Sequence, residues 1–131
     1  MTGPIAVCIL SRDEAPLLRE NVAHLIHDEG ISHIIVTNHV SVEANKAVLA
    51  PFGDKIVTQF DEPNVLPFDQ NEWRTRMCRT AIRKFGASWC VCADTDEFWF
   101  NLCELQQVPK RYNSVIVKRV YEHYGTMEDP A

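Results

Sequence analysis

The chain has no apolar stretch near the ~20 residues that cross a bilayer, and no basic run or stripe. The first absence argues against a transmembrane helix. The second, with a net charge of −5, argues against a partner rich in phosphate, whether nucleic acid or anionic lipid. Five cysteines form an odd set with no zinc-finger spacing. Met1-Thr2-Gly3-Pro4 lacks the basic start of a secretory signal, and the apolar residues 5–10 are too few for its core. A reduced, cytoplasmic setting is therefore expected. There is no repeat, low-complexity tract or internal linker, and 131 residues make one domain, 1–131. What is present is 46% hydrophobic residues, enough for a core.

Those apolar residues are grouped. Residues 5–10 form a continuous run of the kind found in a parallel strand covered on both faces. Ser11-Arg12-Asp13-Glu14 breaks the run, and Pro16 sits where a first helical turn tolerates proline. Leu18, Val22 and Leu25 recur at helical spacing until Gly30, which is expected to stop the helix. Residues 34–36 predict a second strand ending at Thr37-Asn38-His39. Ala44, Ala47 and Val48 predict a short helix, and residues 55–60 a third strand. After a proline-bearing loop, residues 61–69, a helix is expected over 70–85, with Trp73, Met77 and Ala81 on one side. Residues 89–93 and 114–120 predict strands four and five. Cys90 and Cys92 would share one face of the fourth strand as small buried hydrophobes. Strands alternating with helices imply an α/β domain with a mostly parallel sheet and helices on both faces.

Asp94-Thr95-Asp96-Glu97 packs three carboxylates into four positions directly behind the fourth strand. They repel one another unless a cation sits among them, and hard oxygen ligands suit Mg²⁺ or Mn²⁺. Residues two apart in an extended segment point the same way, so Asp94 and Asp96 can face one ion while Thr95 points elsewhere. A solvated acidic turn is the plainer explanation of a lone Asp-x-Asp. Topology favours the site. If three strands run outward and the fourth returns beside the first, the order is 3-2-1-4. The switch point then lies between strands one and four, where ligands bind at the carboxyl ends. Residues 11–14, 38–41 and 94–98 all fall at that edge.

With these pieces in order, the chain resembles a family 2-type glycosyltransferase of the GT-A fold, from Val7 to about Gly125. Ser11-Arg12-Asp13-Glu14-Ala15 resembles the opening "RNEA" segment, with Asp13 for the usual Asn. Thr37-Asn38-His39-Val40-Ser41-Val42-Glu43 resembles the "DNGSTD" loop, with Asn38 for the first Asp and Glu43 for the last. Trp73-Arg74-Thr75-Arg76-Met77, then Phe85-Gly86-Ala87-Ser88-Trp89, resembles the helix leading to the metal strand. Asp94-Thr95-Asp96-Glu97-Phe98-Trp99 resembles the "DADEFW" form of the DxD motif, and Val117-Lys118-Arg119-Val120 the strand after it. The resemblance implies a nucleotide-diphosphate sugar donor, a divalent cation (Mn²⁺ or Mg²⁺), and an acceptor on a glycan, lipid or protein. It implies that Ser11, Glu14, Asn38 and Asp94 line the nucleotide-sugar site and that Asp94 and Asp96 hold the metal. The ion would neutralise charge on the leaving diphosphate, in a transition state with oxocarbenium character. The family's acceptor side and general base normally lie after the segment where this chain stops. The chain is therefore expected to carry mainly the donor half, to transfer weakly alone, and to self-associate through its open edge.

Other residues admit two readings each. His24, His27 and Asp28 resemble a helical metal cluster but fit an ordinary helix surface better. Arg74, Arg76 and Arg79 are able to reach a diphosphate, or to be solvated. Trp73 and Met77 fit a core; Trp99 and Phe100 fit a sugar-stacking surface or a core. His123 and Tyr124 fit an acceptor contact or a strand exit, and Glu122 is a candidate base. Two rival functions are weighed. One is a non-catalytic nucleotide or partner-binding module. The other is a haloacid-dehalogenase-type phosphotransferase, whose motif opens its chain and carries Thr or Val where Phe98 stands here.

Overall fold

The computed structural model describes residues 3–64, 70–109 and 111. Its elements in chain order are β1 (Ile5–Ser11), α1 (Ala15–His27), β2 (His33–His39), α2 (Val42–Leu49), a 3-10 turn (Ala50–Phe52), β3 (Val57–Glu62), α3 (Gln70–Phe85), β4 (Trp89–Asp94) and a second 3-10 turn (Leu102–Gln107). The four strands form one sheet, ordered β3-β2-β1-β4, and every pairing is parallel. This is the expected α/β architecture and strand order. The expected fifth strand, residues 114–120, lies outside the described residues.

Alternation along the strands sorts the core onto two faces. Ile5, Val7 and Ile9 of β1, with Ile34 and Val36 of β2, join Leu18, Val22 and Leu25 of α1 and Leu49 of α2. On the other face Ala6, Cys8 and Ile35 meet Met77 and Ala81 of α3. On that face Ala6, Cys8 and Ala81 are small, and Met77 and Ile35 are its large, fully buried side chains. Both helix ends that lead into strands depend on a glycine at positive φ. Gly30 (φ 69°) lets Ile31 N–H reach back to Leu25 C=O (2.9 Å), and Gly86 (φ 66°) lets Ala87 N–H reach Ala81 C=O (3.0 Å). Either bond satisfies a last-turn carbonyl. The first helix therefore closes at His27, three residues before its glycine.

One boundary and two patterns of burial differ from a simple reading of the sequence, each for a physical reason. β3 begins and ends two residues later than 55–60, because Asp61 and Glu62 pair by backbone with Asn38 and His39. α2 buries Asn45 and Leu49 and leaves Ala44 and Ala47 exposed. The cause is the Asn45 amide, which donates to the Ser11 carbonyl at the end of β1 (3.4 Å). Cys90 is half-buried and Cys92 exposed, not core residues, because β4 pairs only with β1 among the described residues. No helix of the described residues is long and apolar enough to cross a membrane.

Met77→Ala should lower the unfolding free energy by about 2–5 kcal/mol, since the side chain is fully buried and its removal leaves a cavity between α3 and the sheet. Ile82→Ala on the opposite side of the same helix, where the side chain is 55% exposed, should change it by under ~0.5 kcal/mol. Urea denaturation of the two variants compares them directly.

Candidate active site

Parallel register levels the strand exits. Leu10 is opposite Asp94, Ser11 opposite Asn38, and Asn38 opposite Asp61. The chain reverses its direction of winding between β1 and β4, which is the switch point where α/β sheets bind ligands. Ser11, Asn38 and Asp94 are thus brought to one edge of the sheet, with Glu14 just beyond it.

The acidic segment is a fastened turn. β4 ends at Asp94, and Glu97 N–H closes a turn onto the Asp94 carbonyl (3.0 Å). The Glu97 carboxylate folds back to accept from the Asp94 N–H (2.9 Å), so it serves the turn itself. Thr95 is buried, and its hydroxyl donates to the Leu10 carbonyl (3.3 Å). Asp94 and Asp96 both stay exposed. The pair therefore faces outward and Thr95 inward, as alternation predicted, but through a turn in place of extended strand. Asn21 of α1 anchors the turn from beneath, its amide donating to the carbonyls of Thr95 and Glu97 (3.0 Å each). His24, one helical turn on, donates from Nε2 to the Trp99 carbonyl (2.6 Å) while Nδ1 faces the Asp28 carboxylate (2.9 Å). Neither Asn21 nor the anchoring role of His24 was visible in the sequence. Both look like helix-surface residues until the partner carbonyls are known.

The facing loops are tied to each other. Ser41 Oγ accepts from the Asp13 N–H (2.9 Å) and donates to the Asp13 carboxylate. That hydrogen bond, opposed by some burial and helped by Arg12, holds Asp13 below the usual carboxylate range. Asp13 has φ 56°, a left-handed conformation that Asn and Asp tolerate best. Val40 has φ 65°, an outlier for a β-branched residue.

Ser11 and Asn38 are fully buried. The Ser11 hydroxyl and the Asn38 Oδ1 have no hydrogen-bond partner among the described residues. The Asn38 amide nitrogen donates across to β3, to Gln59 Oε1 (2.7 Å) and Asp61 Oδ1 (3.1 Å). Desolvation pushes the Asp61 carboxyl up, but bonds from Asn38 and Lys46 outweigh it and hold the group below its ordinary range. Glu14 is exposed and occupies the N-cap position of α1 with no side-chain cap bond.

Of the arginines, Arg74 donates to Asp94 Oδ1 (3.3 Å) across an exposed gap, a contact worth roughly 0–1 kcal/mol. Arg76 instead pairs with Glu62 (2.8 Å) and lies 4.3 Å over the Phe60 ring, which makes it a strut between α3 and β3. Arg79, Arg83 and Lys84, together with Arg76, line an open groove along α3. Trp73 and Met77 are core. Trp99 packs against the main core, while Phe100, 65% exposed, rests on the His24 ring at 4.6 Å. His24 and His27 form no metal cluster, because both His24 nitrogens are engaged elsewhere and His27 is exposed. Glu122, His123 and Tyr124 lie outside the described residues. Among the described residues no three His, Cys, Asp or Glu side chains are arranged as a complete cation cage. Asp94 and Asp96 fit the sparser mode, in which one or two carboxylates hold Mg²⁺ and substrate phosphates complete its shell.

The His24 arrangement makes stability depend on pH. Desolvation disfavours its protonation, but the Trp99 carbonyl and the Asp28 carboxylate together raise its pKa above the ordinary 6.5. The imidazolium satisfies both partners at once, so its stabilisation is complete below the ordinary pKa and is lost as pH rises through the folded one. The stability gap between wild type and His24→Gln should thus be wider at about pH 5.5 than at about pH 8.5, read from urea unfolding at both. Val40→Gly should raise stability by roughly 1 kcal/mol by relieving left-handed strain. The same urea unfolding measures it, and a loss of stability would show that Val40 packing outweighs the strain.

Compared with models of known protein families and with curated protein sequences, the chain has no match in either.

Proposed function

We propose that this domain binds a nucleotide-diphosphate sugar through a divalent cation, Mn²⁺ or Mg²⁺, and is the donor half of a glycosyltransferase. One observation carries the reading: the exposed Asp94 and Asp96 lie on a braced turn at the switch point of a parallel sheet, level with the Ser11 and Asn38 strand exits. The Asn21 amide, bonded to the Thr95 and Glu97 carbonyls, holds that turn in place so that both carboxylates are presented together. The positive φ of Asp13 and Val40 further supports the likeness to the family's two opening loops, because both patterns place a permissive residue there.

Each residue has a part in this reading. Asp94 and Asp96 hold the ion against the diphosphate, and the ion neutralises charge developing on the leaving group. Arg74 stands beside Asp94 and is free to turn to a phosphate oxygen. Ser11 and Asn38 are buried beneath the site and support its floor at the strand exits. Glu14 lies at the open rim. The acceptor, a hydroxyl on a glycan, lipid or protein, approaches from outside this half. The β4 edge is where a second copy or the remainder of the fold would dock. The cytoplasmic setting is part of the same proposal.

Uridine diphosphate titrated into the protein by calorimetry, with and without Mn²⁺, tests the reading. Binding should require the ion and weaken tenfold or more, about 1.4 kcal/mol, in Asp96→Asn, whose exposed side chain leaves the fold intact. Undiminished metal-dependent binding by that folded variant would sink the assignment. Sugar turnover in the same mixture separates an enzyme from a module that only binds.

A further inference from the structure

Four of the five cysteines gather in one place, which the sequence spacing does not show. The β1–β4 register sets Cys8 opposite Cys92, and Cys90 shares Cys92's face of the strand. α3 crosses that face and brings Cys78 over it, with its Sγ 3.6 Å from the Cys92 Sγ. The other members are engaged differently. Cys8 is buried with its thiol hydrogen-bonded to Cys92 from beneath, out of an oxidant's reach, and the Cys90 thiol is directed to the Cys78 backbone carbonyl (3.8 Å). Cys103 lies on the second 3-10 turn, apart from the group.

We propose that Cys78 and Cys92 are a redox-modification site: a peroxide oxidant converts them to an intramolecular disulfide, and thiol reductants reverse it. Their sulfurs are already in contact and need close by only about 1.5 Å to reach a disulfide bond length. Cys92 is exposed and Cys78 half-buried, so an oxidant meets Cys92 first and Cys78 stands ready to resolve it. The same two elements already hold a second rung, Arg74 to Asp94 (3.3 Å). Arg74 and Cys78 are four apart on α3, and Asp94 and Cys92 two apart on β4, so the helix runs alongside the strand over both rungs. The approach of the sulfurs is therefore a property of how α3 lies on β4, not of one rotamer.

The chemistry balances. The Cys92 thiolate attacks one peroxide oxygen, the O–O bond breaks, and the departing hydroxide takes a proton to become water. The sulfenic acid left on Cys92 is then attacked by the Cys78 sulfur. The S–S bond forms, the S–O bond breaks, and hydroxide leaves with the Cys78 proton as a second water. Two thiols and one hydrogen peroxide give one disulfide and two waters, and the two electrons from sulfur reduce the peroxide.

The test uses the full chain, purified reduced and treated with one equivalent of hydrogen peroxide. It is then unfolded, alkylated and digested with trypsin. Free thiols should fall from five to three, and mass spectrometry should join the short peptide Met77-Cys78-Arg79 to the one carrying Cys92. Dithiothreitol should restore all five. Cys78→Ser and Cys92→Ser should each abolish the link, while Cys90→Ser and Cys103→Ser keep it; circular dichroism checks that every variant folds. A link through Cys8, Cys90 or Cys103, a link only between molecules, or oxidation of Cys92 to sulfinic acid without a link would overturn the proposal. So would stoichiometric zinc in the purified protein that shields the four thiols.

Discussion

Everything at the candidate site depends on β1 lying parallel between β2 and β4. Parallel pairing obliges the chain to leave each strand at the same edge of the sheet, so the turns after β1, β2 and β4 are neighbours by construction. The register then sets their heights: Ser11 level with Asn38, Leu10 level with Asp94. β1 can occupy this central place because its residues 5–9 are all buried, apolar on both faces, with larger side chains toward α1 and α2 and smaller ones toward α3.

A level edge creates a problem of unpaired backbone. Strand-end carbonyls are buried where the sheet stops and no ladder continues, and each would cost roughly 1–3 kcal/mol if left without a partner. The chain meets this with side-chain amides and hydroxyls: Asn45 for Ser11, Thr95 for Leu10, Asn21 for Thr95 and Glu97, and His24 for Trp99. Each donor comes from an element other than the one it serves. The exit loops are thus fixed by the two helices on the α1 face and cannot move without them. Among the described residues the Ser11 hydroxyl and the Asn38, Asn21 and Asn45 side-chain carbonyl oxygens are still left without a hydrogen-bond partner.

What the sequence showed and what it hid divide along these lines. Continuous apolar runs revealed β1, β2 and β4, and the spacing of Leu18, Val22 and Leu25, or of Trp73, Met77 and Ala81, revealed the helical faces. The acidic cluster after an apolar run revealed the exposed Asp94 and Asp96. The polar supports were hidden. Asn21, His24 and Asn45 have the composition of a solvated helix face, and only the position of another segment's carbonyl makes them buried. The last two residues of β3 were missed because Asp61 and Glu62 pair by backbone while their side chains look like a loop. Val40 gave no warning of a positive φ, since a β-branched side chain argues for the opposite. The sulfur pair was hidden for a simpler reason: Cys78 and Cys92 belong to different elements, and only the crossing of α3 over β4 joins them.

α3 is where structure and the proposed chemistry meet. Its inner face is fixed by Met77 and Ala81, but its flanks make exchangeable contacts: Arg74 with Asp94, Arg76 with Glu62 and Phe60, and Cys78 with Cys92. The Arg74–Asp94 contact is the weakest of these, being exposed on both sides and worth at most about 1 kcal/mol. On the proposed reading a divalent ion competes with Arg74 for the same carboxylate, and so small a contact yields readily to it. The displaced guanidinium would still stand within a helical turn of the site, where the diphosphate brings negative charge that an arginine fork matches. On that reading, binding would transfer Arg74 from a carboxylate to a phosphate and leave the packing of α3 on the sheet unchanged.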